Sequence, residues 1–322
     1  MVYNNVLRDE KYIHRLKDAI YQQYGIASIK IKPAKRGYYG ETWKVTGTVG
    51  CYFLKLDYLP FHQKKFQNSL SVIEYLCEKG IEFIGRIIKA KDGKLYSNFD
   101  TAVAGLFEWV DGENIETDDT KGPEYQMLCR IYSLTKPGLQ IPSASFSDGA
   151  AVHFYEQWES LRKSPKNHTN CSVLSVFERF REEISHCASQ LSLIARRCQA
   201  NDSDFYLTHG DAGGNFFTGN GRNYIFDWDE VMYAPLERDA WVMGCYDWAR
   251  NLFNDTLKQN NISYRLQPER LAFYCYHMYF FYLGEFLQVH PICDQSARIL
   301  DYFENGWIKS RIEFADSVCR RY

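Results

Sequence analysis

Residues 208–230 read THGDAGGNFFTGNGRNYIFDWDE. His209, Asp211, Asn215, Asp227 and Asp229 fall within 21 positions, and two apolar runs separate the polar clusters. Phosphoryl transfer needs parts of this kind: a carboxylate to accept or orient an attacking hydroxyl, and an amide with a carboxylate to hold magnesium on the phosphates. Magnesium takes hard oxygen ligands, which Asn and Asp supply. Residue by residue, an acidic β-hairpin with a capping Asp and no chemistry explains the segment better. The ordered set argues for chemistry.

The flanking periodicity shows what must position these groups. Ile13, Leu16, Ile20 and Tyr24 share one face of a helix over 8–24, closed by Gly25. The segments 29–32, 41–45 and 51–58 read as strands, with TGTVG as a turn between the last two. Residues 64–79 return to helical period, and IGRIIKA, KLYS and TAVAGLF read as further strands. Beyond them, 123–134, 150–164, 172–199, 237–256 and 266–290 favour helix, whereas 204–230 reads as short strand pairs. The pattern predicts an α+β lobe joined near Glu108–Gly112 to a mainly helical lobe.

His-Gly-Asp, then Asn, then a hydrophobic strand ending Phe-Asp-Trp-Asp resembles the catalytic core of the aminoglycoside phosphotransferase and choline kinase superfamily. The run Ala-Pro-x-Glu-Arg-Asp at 234–239 resembles the spectinomycin phosphotransferase-like branch. The resemblance implies a protein-kinase-like, two-lobed α+β fold. Residues 1–108 would form the nucleotide-binding lobe and 109–322 the catalytic and acceptor-binding lobe. It implies Asp211 as catalytic base, Asn215 and Asp227 as Mg2+ ligands, and His209, Asp229 and Asp239 in supporting roles. It also implies ATP or GTP as co-substrate. The chain departs from the family pattern in having only Ala212, Gly213 and Gly214 between Asp211 and Asn215, one residue fewer than usual.

Upstream, Lys55 lies on an apolar strand after Arg36-Gly37-Tyr38-Tyr39-Gly40. This is similar to the family's glycine-containing loop, here Gly37 and Gly40, and its phosphate-binding lysine. A solvated strand-edge lysine is the alternative for Lys55. Protein kinases pair that lysine with a helix glutamate. Gln67 holds the expected place, and Glu74, two turns along the same face, is preferred because a carboxylate pairs a lysine better than an amide does. LFEWVDGEN resembles the segment linking the lobes, with Glu108 and Trp109 meeting the adenine through their backbone.

Composition restricts the partners. The formal net charge is −2, so no strongly basic surface points to nucleic acid. Residues 108–119 carry six carboxylates and no basic residue. They are either a solvated charge run or a negative rim that attracts a small cationic acceptor. The apolar stretch Leu271–Leu283 is too short to span a bilayer and reads as a buried helix. Ten cysteines without a Cys-x-x-Cys pair, and an N-terminus without an apolar signal core, suggest scattered buried thiols in a cytoplasmic protein. In helix 266–290, Tyr274, His277, Phe281 and Glu285 recur at helical spacing, either as core or as an acceptor-pocket wall with Glu285 facing an amine. A nucleotide-binding pseudokinase and a scaffold that binds no nucleotide stand as alternatives to the kinase.

Overall fold

The computed structural model describes residues 8–34, 40–198 and 205–321. In chain order the first elements are α1 (Glu10–Tyr24), β1 (Ser28–Pro33), β2 (Gly40–Gly47), β3 (Cys51–Asp57), α2 (Pro60–Glu78), β4 (Ser97–Phe99), β5 (Ala102–Glu108), β6 (Gly112–Asn114) and α3 (Lys121–Tyr132). Then come α4 (Gly149–Lys163), α5 (His168–Arg179), α6 (Arg181–Cys198), β7 (Tyr206–Thr208), β8 (Phe216–Gly219), β9 (Arg222–Ile225) and β10 (Met232–Ala234). The last are α7 (Glu237–Gly244), α8 (Asp247–Gln259), α9 (Pro268–Val289), α10 (Ser296–Glu304) and α11 (Trp307–Cys319). A small antiparallel sheet and a larger helical part give the protein-kinase-like α+β fold. The compact units are residues through Pro142 with His209–Met232, and Ser143–Thr208 with residues from Tyr233 onward. Residues 109–142 and 209–232 thus cluster with the N-terminal part, beyond the division at 108 read from the sequence.

The first unit is built on a five-stranded sheet in the order β1-β2-β3-β5-β4. Side chains alternate across a strand, so β3 and β5 serve two faces. Leu54, Leu56, Ala104 and Leu106 turn toward Leu16 and Ile20 of α1. The intervening Lys55 and Gly105 are register partners. They face α2, because a Cβ on Gly105 would lie 2.6 Å from the Phe66 ring. Helix α1 begins where Asp9 accepts the Tyr12 N–H at 2.7 Å and ends at Gly25, φ 76°.

The hairpin β8–β9 turns through Asn220 and Gly221, both at positive φ. That is the two-residue turn an Asn-Gly pair favours. It places Gly219 opposite Arg222 and Phe216 opposite Ile225. The residues that leave the open end of the hairpin, Asn215 and Phe226, therefore meet: the Phe226 N–H donates to the Asn215 carbonyl at 3.1 Å.

In the second unit α9 is the central helix, and its buried residues include Leu271–Tyr276, Met278–Phe280 and Leu283. The stretch is a buried helix, as its composition indicates. Glu237 of α7 is fully buried. It accepts from the Tyr264 hydroxyl and the Gln267 N–H, each at 2.6 Å, and Arg270 donates to the Tyr264 hydroxyl at 2.8 Å.

Four sequence expectations change. Of KLYS only Ser97 lies in a strand, as the first residue of β4. IGRIIKA forms no strand: it runs beside β5 with one isolated bridge, Ile87 to Phe107. The helix expected over 172–199 breaks at Phe180, which stacks on Phe303 at 4.4 Å and 8°. The helix expected over 237–256 breaks after Gly244, whose carbonyl accepts from Arg250 at 2.7 Å. A Cβ on Gly244 would lie 2.7 Å from Leu271, so close packing on α9 fixes that corner. All ten cysteines are free; Cys129, Cys187, Cys198 and Cys275 are buried, but Cys171 is exposed. No helix among the described residues is long and apolar enough to cross a membrane.

Candidate active site

Lys55 projects from β3 toward α2 and is 8% exposed. Its Nζ lies 2.8 Å from Asp227 Oδ1 and 2.6 Å from Asp229 Oδ2. Burial alone would favour loss of the Lys55 proton, but the two carboxylates more than reverse this and hold the ammonium above its ordinary range. Burial also opposes ionisation of Asp227, yet the attraction of Lys55 wins and keeps that carboxyl below the usual range. Asp229 is pushed the other way: burial, reinforced by the charge of Asp227, outweighs Lys55 and raises its carboxyl.

Asp227 adopts φ 59° and ψ 68°, a left-handed conformation rare outside glycine. Its side chain remains 44% exposed, whereas that of Asp229 is 10% exposed. Strain of this kind persists where the surroundings over-determine it, often at functional sites. Here the Asn215–Phe226 backbone bond on one side and the buried Trp228 on the other hold the turn.

Helix α2 contributes groups that the sequence reading missed. Phe66 lies beneath Lys55, with Nζ 5.2 Å from the ring centroid. Ser69 Oγ is 3.4 Å from Asp229 Oδ1, and His62 Nε2 is 3.6 Å from Asp229 Oδ2. The other nitrogen of His62 meets Asp57 Oδ2 at 2.5 Å, in a pair at most 1% exposed. Asp57 Oδ1 accepts the Leu59 N–H at 3.0 Å just before α2 begins at Pro60. The visible signal was an Asp ahead of a Pro-initiated helix with a His in its first turn.

Glu74 does not partner Lys55. It pairs with Lys89. It lies eight residues beyond Phe66, about 12 Å along the helix axis, too far to reach Nζ. Gln67 is not the partner either, because Asp227 and Asp229 hold the ammonium.

The segment from His209 to Asn215 completes the site. Buried His209 bonds the Phe226 carbonyl through Nε2 at 2.9 Å and accepts the Asp211 N–H on Nδ1 at 3.1 Å. This arrangement ties the Asp211 backbone to the Asp227 turn. Exposed Asp211 receives the Asn215 Nδ2 at 2.8 Å on its carbonyl and 3.0 Å on Oδ2. Gly213 and Gly214 shape the short turn between them. A Cβ on Gly213 would lie 3.3 Å from Nζ of Lys121, which is 2% exposed and bonded to buried Glu124 at 2.9 Å.

The other residues singled out from the sequence fall as follows. Gly37 lies outside the described residues. Gly40 opens β2, where a Cβ would sit 2.1 Å from the Leu56 carbonyl oxygen, so glycine is required by strand approach. The Glu108 and Trp109 N–H groups are already taken by the Arg86 and Cys51 carbonyls, at 2.9 and 3.2 Å. These two amide donors are therefore committed within the protein. Asp239 lies in the first turn of α7, in the second unit. The six carboxylates of 108–119 are all exposed. Asp111 is held below the usual range by a hydrogen bond from Trp109 and by Lys44, and Glu116 lies 3.7 Å from Lys121. Asp118 and Asp119 sit just ahead of α3, where a helix dipole favours anions.

A kinase-like fold with a buried strand lysine, two carboxylates on one turn, and an Asp–Asn pair beside it defines a phosphotransferase that acts on hydroxyl groups. Residues 30–274 match the phosphotransferase enzyme family (APH), and the chain belongs to that family. Among solved structures it is similar to spectinomycin phosphotransferase in complex with ADP and spectinomycin: TM-score 0.74, 17% identity, covering 97% of this chain and 98% of that one. It is also similar to an amicoumacin kinase in complex with AMP-PNP and Ca2+, with TM-score 0.59, 15% identity, and 96% and 94% coverage. A third is choline kinase from Cryptosporidium parvum Iowa II, with TM-score 0.59, 11% identity, and 91% and 90% coverage. At these identities the similarity is one of fold.

Proposed function

We propose that the protein transfers the γ-phosphoryl group of ATP or GTP, with Mg2+, to a hydroxyl of a small cationic molecule. Aminoglycoside-type acceptors, spectinomycin-like ones first, lead. Choline, a sugar or another metabolite are the alternatives. The observation that carries this reading is the convergence of Lys55, Asp227 and Asp229 at the open end of the hairpin whose other side begins at Asn215. In this reading residues 1–108 bind nucleotide and 109–322 carry the catalytic and acceptor-binding parts.

The donor set fits magnesium. The exposed Asp227 carboxylate and the Asn215 amide oxygen are hard ligands, and magnesium is commonly held by one or two protein oxygens plus phosphates and waters. Bound there, the metal would neutralise phosphate charge. Lys55 would exchange a carboxylate contact for a phosphate oxygen. Asp211 would orient the acceptor hydroxyl and take its proton as the oxygen bonds to the γ-phosphorus and the bond to the leaving nucleoside diphosphate breaks. Asn215, donating to Asp211, would fix that carboxylate in the required rotamer. Positioning and charge neutralisation supply most of the rate in such transfers.

The test is a coupled nucleotide-consumption assay with aminoglycosides, spectinomycin, choline, sugars and amino alcohols, each with ATP and with GTP. Acceptor-dependent consumption establishes the activity and names its substrate. Nucleotide-induced thermal stabilisation without consumption in any pairing would instead make the chain a pseudokinase. An unchanged melting temperature in both magnesium-nucleotides would make it a scaffold.

A further inference from the structure

Lys121 is the first residue of α3 and is 2% exposed. Lysine is almost never fully buried unless it is paired. Here Nζ donates to Glu124 Oε2 at 2.9 Å and lies 3.7 Å from Glu116 Oε1. The Glu124 side chain is buried and that of Glu116 is half-exposed. The helix itself gives no reason for an ammonium at this place, because its first turn carries the positive end of the dipole. Fold stability gives little reason either. A buried ion pair is often no better than well-packed apolar residues, and its best-attested use is to select one arrangement over others.

The cluster faces the loop between Asp211 and Asn215. A Cβ on Gly213 would lie 3.3 Å from Lys121 Nζ, 3.6 Å from Glu116 Oε1 and 3.9 Å from Glu124 Oε1. Three charged side chains thus converge on one backbone position of the loop, and glycine leaves them the room. Gly213–Asn215 form a single short helical turn, in which the Asn215 N–H donates to the Ala212 carbonyl at 3.0 Å. From that turn Asn215 Nδ2 reaches Asp211 Oδ2 at 3.0 Å, and a Cβ on Gly214 would lie 3.7 Å from Asp211 Oδ1. The chain ahead of α3 also holds the turn: Asn114 Nδ2 donates to the Gly214 and Phe216 carbonyls, at 3.4 Å each. Two of the three residues between Asp211 and Asn215 are glycine, so the loop has few side chains of its own to fix its shape.

We propose that Lys121 is a positioning residue for the Asp211–Asn215 loop. Held by Glu124 and Glu116, it fixes the turn at Gly213, and through it the Asp211 carboxylate and the Asn215 amide. The consequence for transfer rests on the kinase reading; the effect on the loop does not.

The experiment compares the wild type with Lys121→Met and with the double variant Lys121→Met, Glu124→Gln. The single change strands a buried carboxylate and should lower the melting temperature. The double change removes both charges of the closest pair and should restore much of that loss. If the single variant does not fold, the double variant carries the test. Hydrogen exchange over residues 209–216, followed by mass spectrometry without ligand, reads the loop, and residues 10–24 of α1 are the control. In the double variant the loop should exchange about tenfold faster while the control keeps its wild-type rate, since local opening is separable from global unfolding. With an acceptor found by the consumption assay, kcat of the double variant should fall by about 100-fold, the scale of a catalytic group slightly misplaced, and the nucleotide KM should change far less. A loop that exchanges at the wild-type rate in the double variant overturns the proposal, because Lys121 would then only stabilise the fold. A faster loop with unchanged kcat overturns it too. A wild type that consumes no nucleotide with any acceptor removes the kinase reading, and faster local exchange in the double variant would still sustain Lys121 as the residue that fixes the loop.

Discussion

Lys55 Nζ lies 2.6 Å from Asp229 Oδ2, and α2 supplies no carboxylate to the pair. The helix instead holds Asp229 from the other side through Ser69 and His62. A lysine paired with two carboxylates keeps its charge in a buried place, and in the proposed mechanism that charge meets phosphate. Lys55→Met should therefore weaken magnesium-nucleotide binding and lower turnover by about 100-fold or more, comparable to losing one preorganised charge contact. Titration calorimetry and steady-state rates read the two effects. Unaltered nucleotide affinity would remove Lys55 from the site.

The Asp57–His62 pair predicts a different phenotype. Both side chains are at most 1% exposed, and Asp57 also receives the Leu59 N–H. His62→Ala strands a buried carboxylate, and loss of one partner of such a pair typically costs about 3 kcal/mol. The unfolding free energy in urea should fall by roughly that amount. Replacing Asp57 as well should add much less than the sum of the single changes, since the two share one interaction. Strict additivity would show that they stabilise the fold independently.

The contrast between the two faces of α2 shows what was legible. Lys55 could be placed because period-2 alternation fixes which strand residues share a face. The 208–230 segment could be read because its hairpin is local and closes through an Asn-Gly turn. The partner of Lys55 could not be read from α2. An expected lysine–glutamate pair directed attention to Glu74, whereas the carboxylates that hold Lys55 lie 172 and 174 residues further along the chain. The role of Phe180 was hidden for the same reason: its helix corner depends on a stack with Phe303, over a hundred residues away. The shortened Asp211–Asn215 loop looked like a defect in the sequence, yet Asn215 still reaches Asp211 with two hydrogen bonds.

In the proposed mechanism Asp211 acts on the acceptor hydroxyl and is not itself a metal ligand, so binding and chemistry should separate there. Asp211→Ala should retain the magnesium-nucleotide melting shift and lose transfer by about 100-fold to 10,000-fold, the span usual for a positioned base. Asn215→Ala should show a partial version, because it frees the Asp211 rotamer as well as removing a metal ligand. Near-normal turnover in Asp211→Ala would transfer the base role elsewhere.

Glu285 gives the fold a pH dependence of known sign. Its buried carboxyl is pushed up to about 7, against about 4.3 for glutamate in an unfolded chain. The folded state therefore holds the proton more tightly than the unfolded state. This contribution is fully present below about pH 4.3 and is lost as pH rises through 7. The loss amounts to roughly 4 kcal/mol when each unit of displacement counts about 1.4 kcal/mol. Glu285→Gln has nothing to titrate at this position, so its stability relative to the wild type should increase from pH 5 to 7.5 and level off above about pH 8. Urea denaturation of both proteins at half-unit pH intervals reads the difference directly. Parallel curves would mean that the carboxylate already has a cationic partner in the free protein.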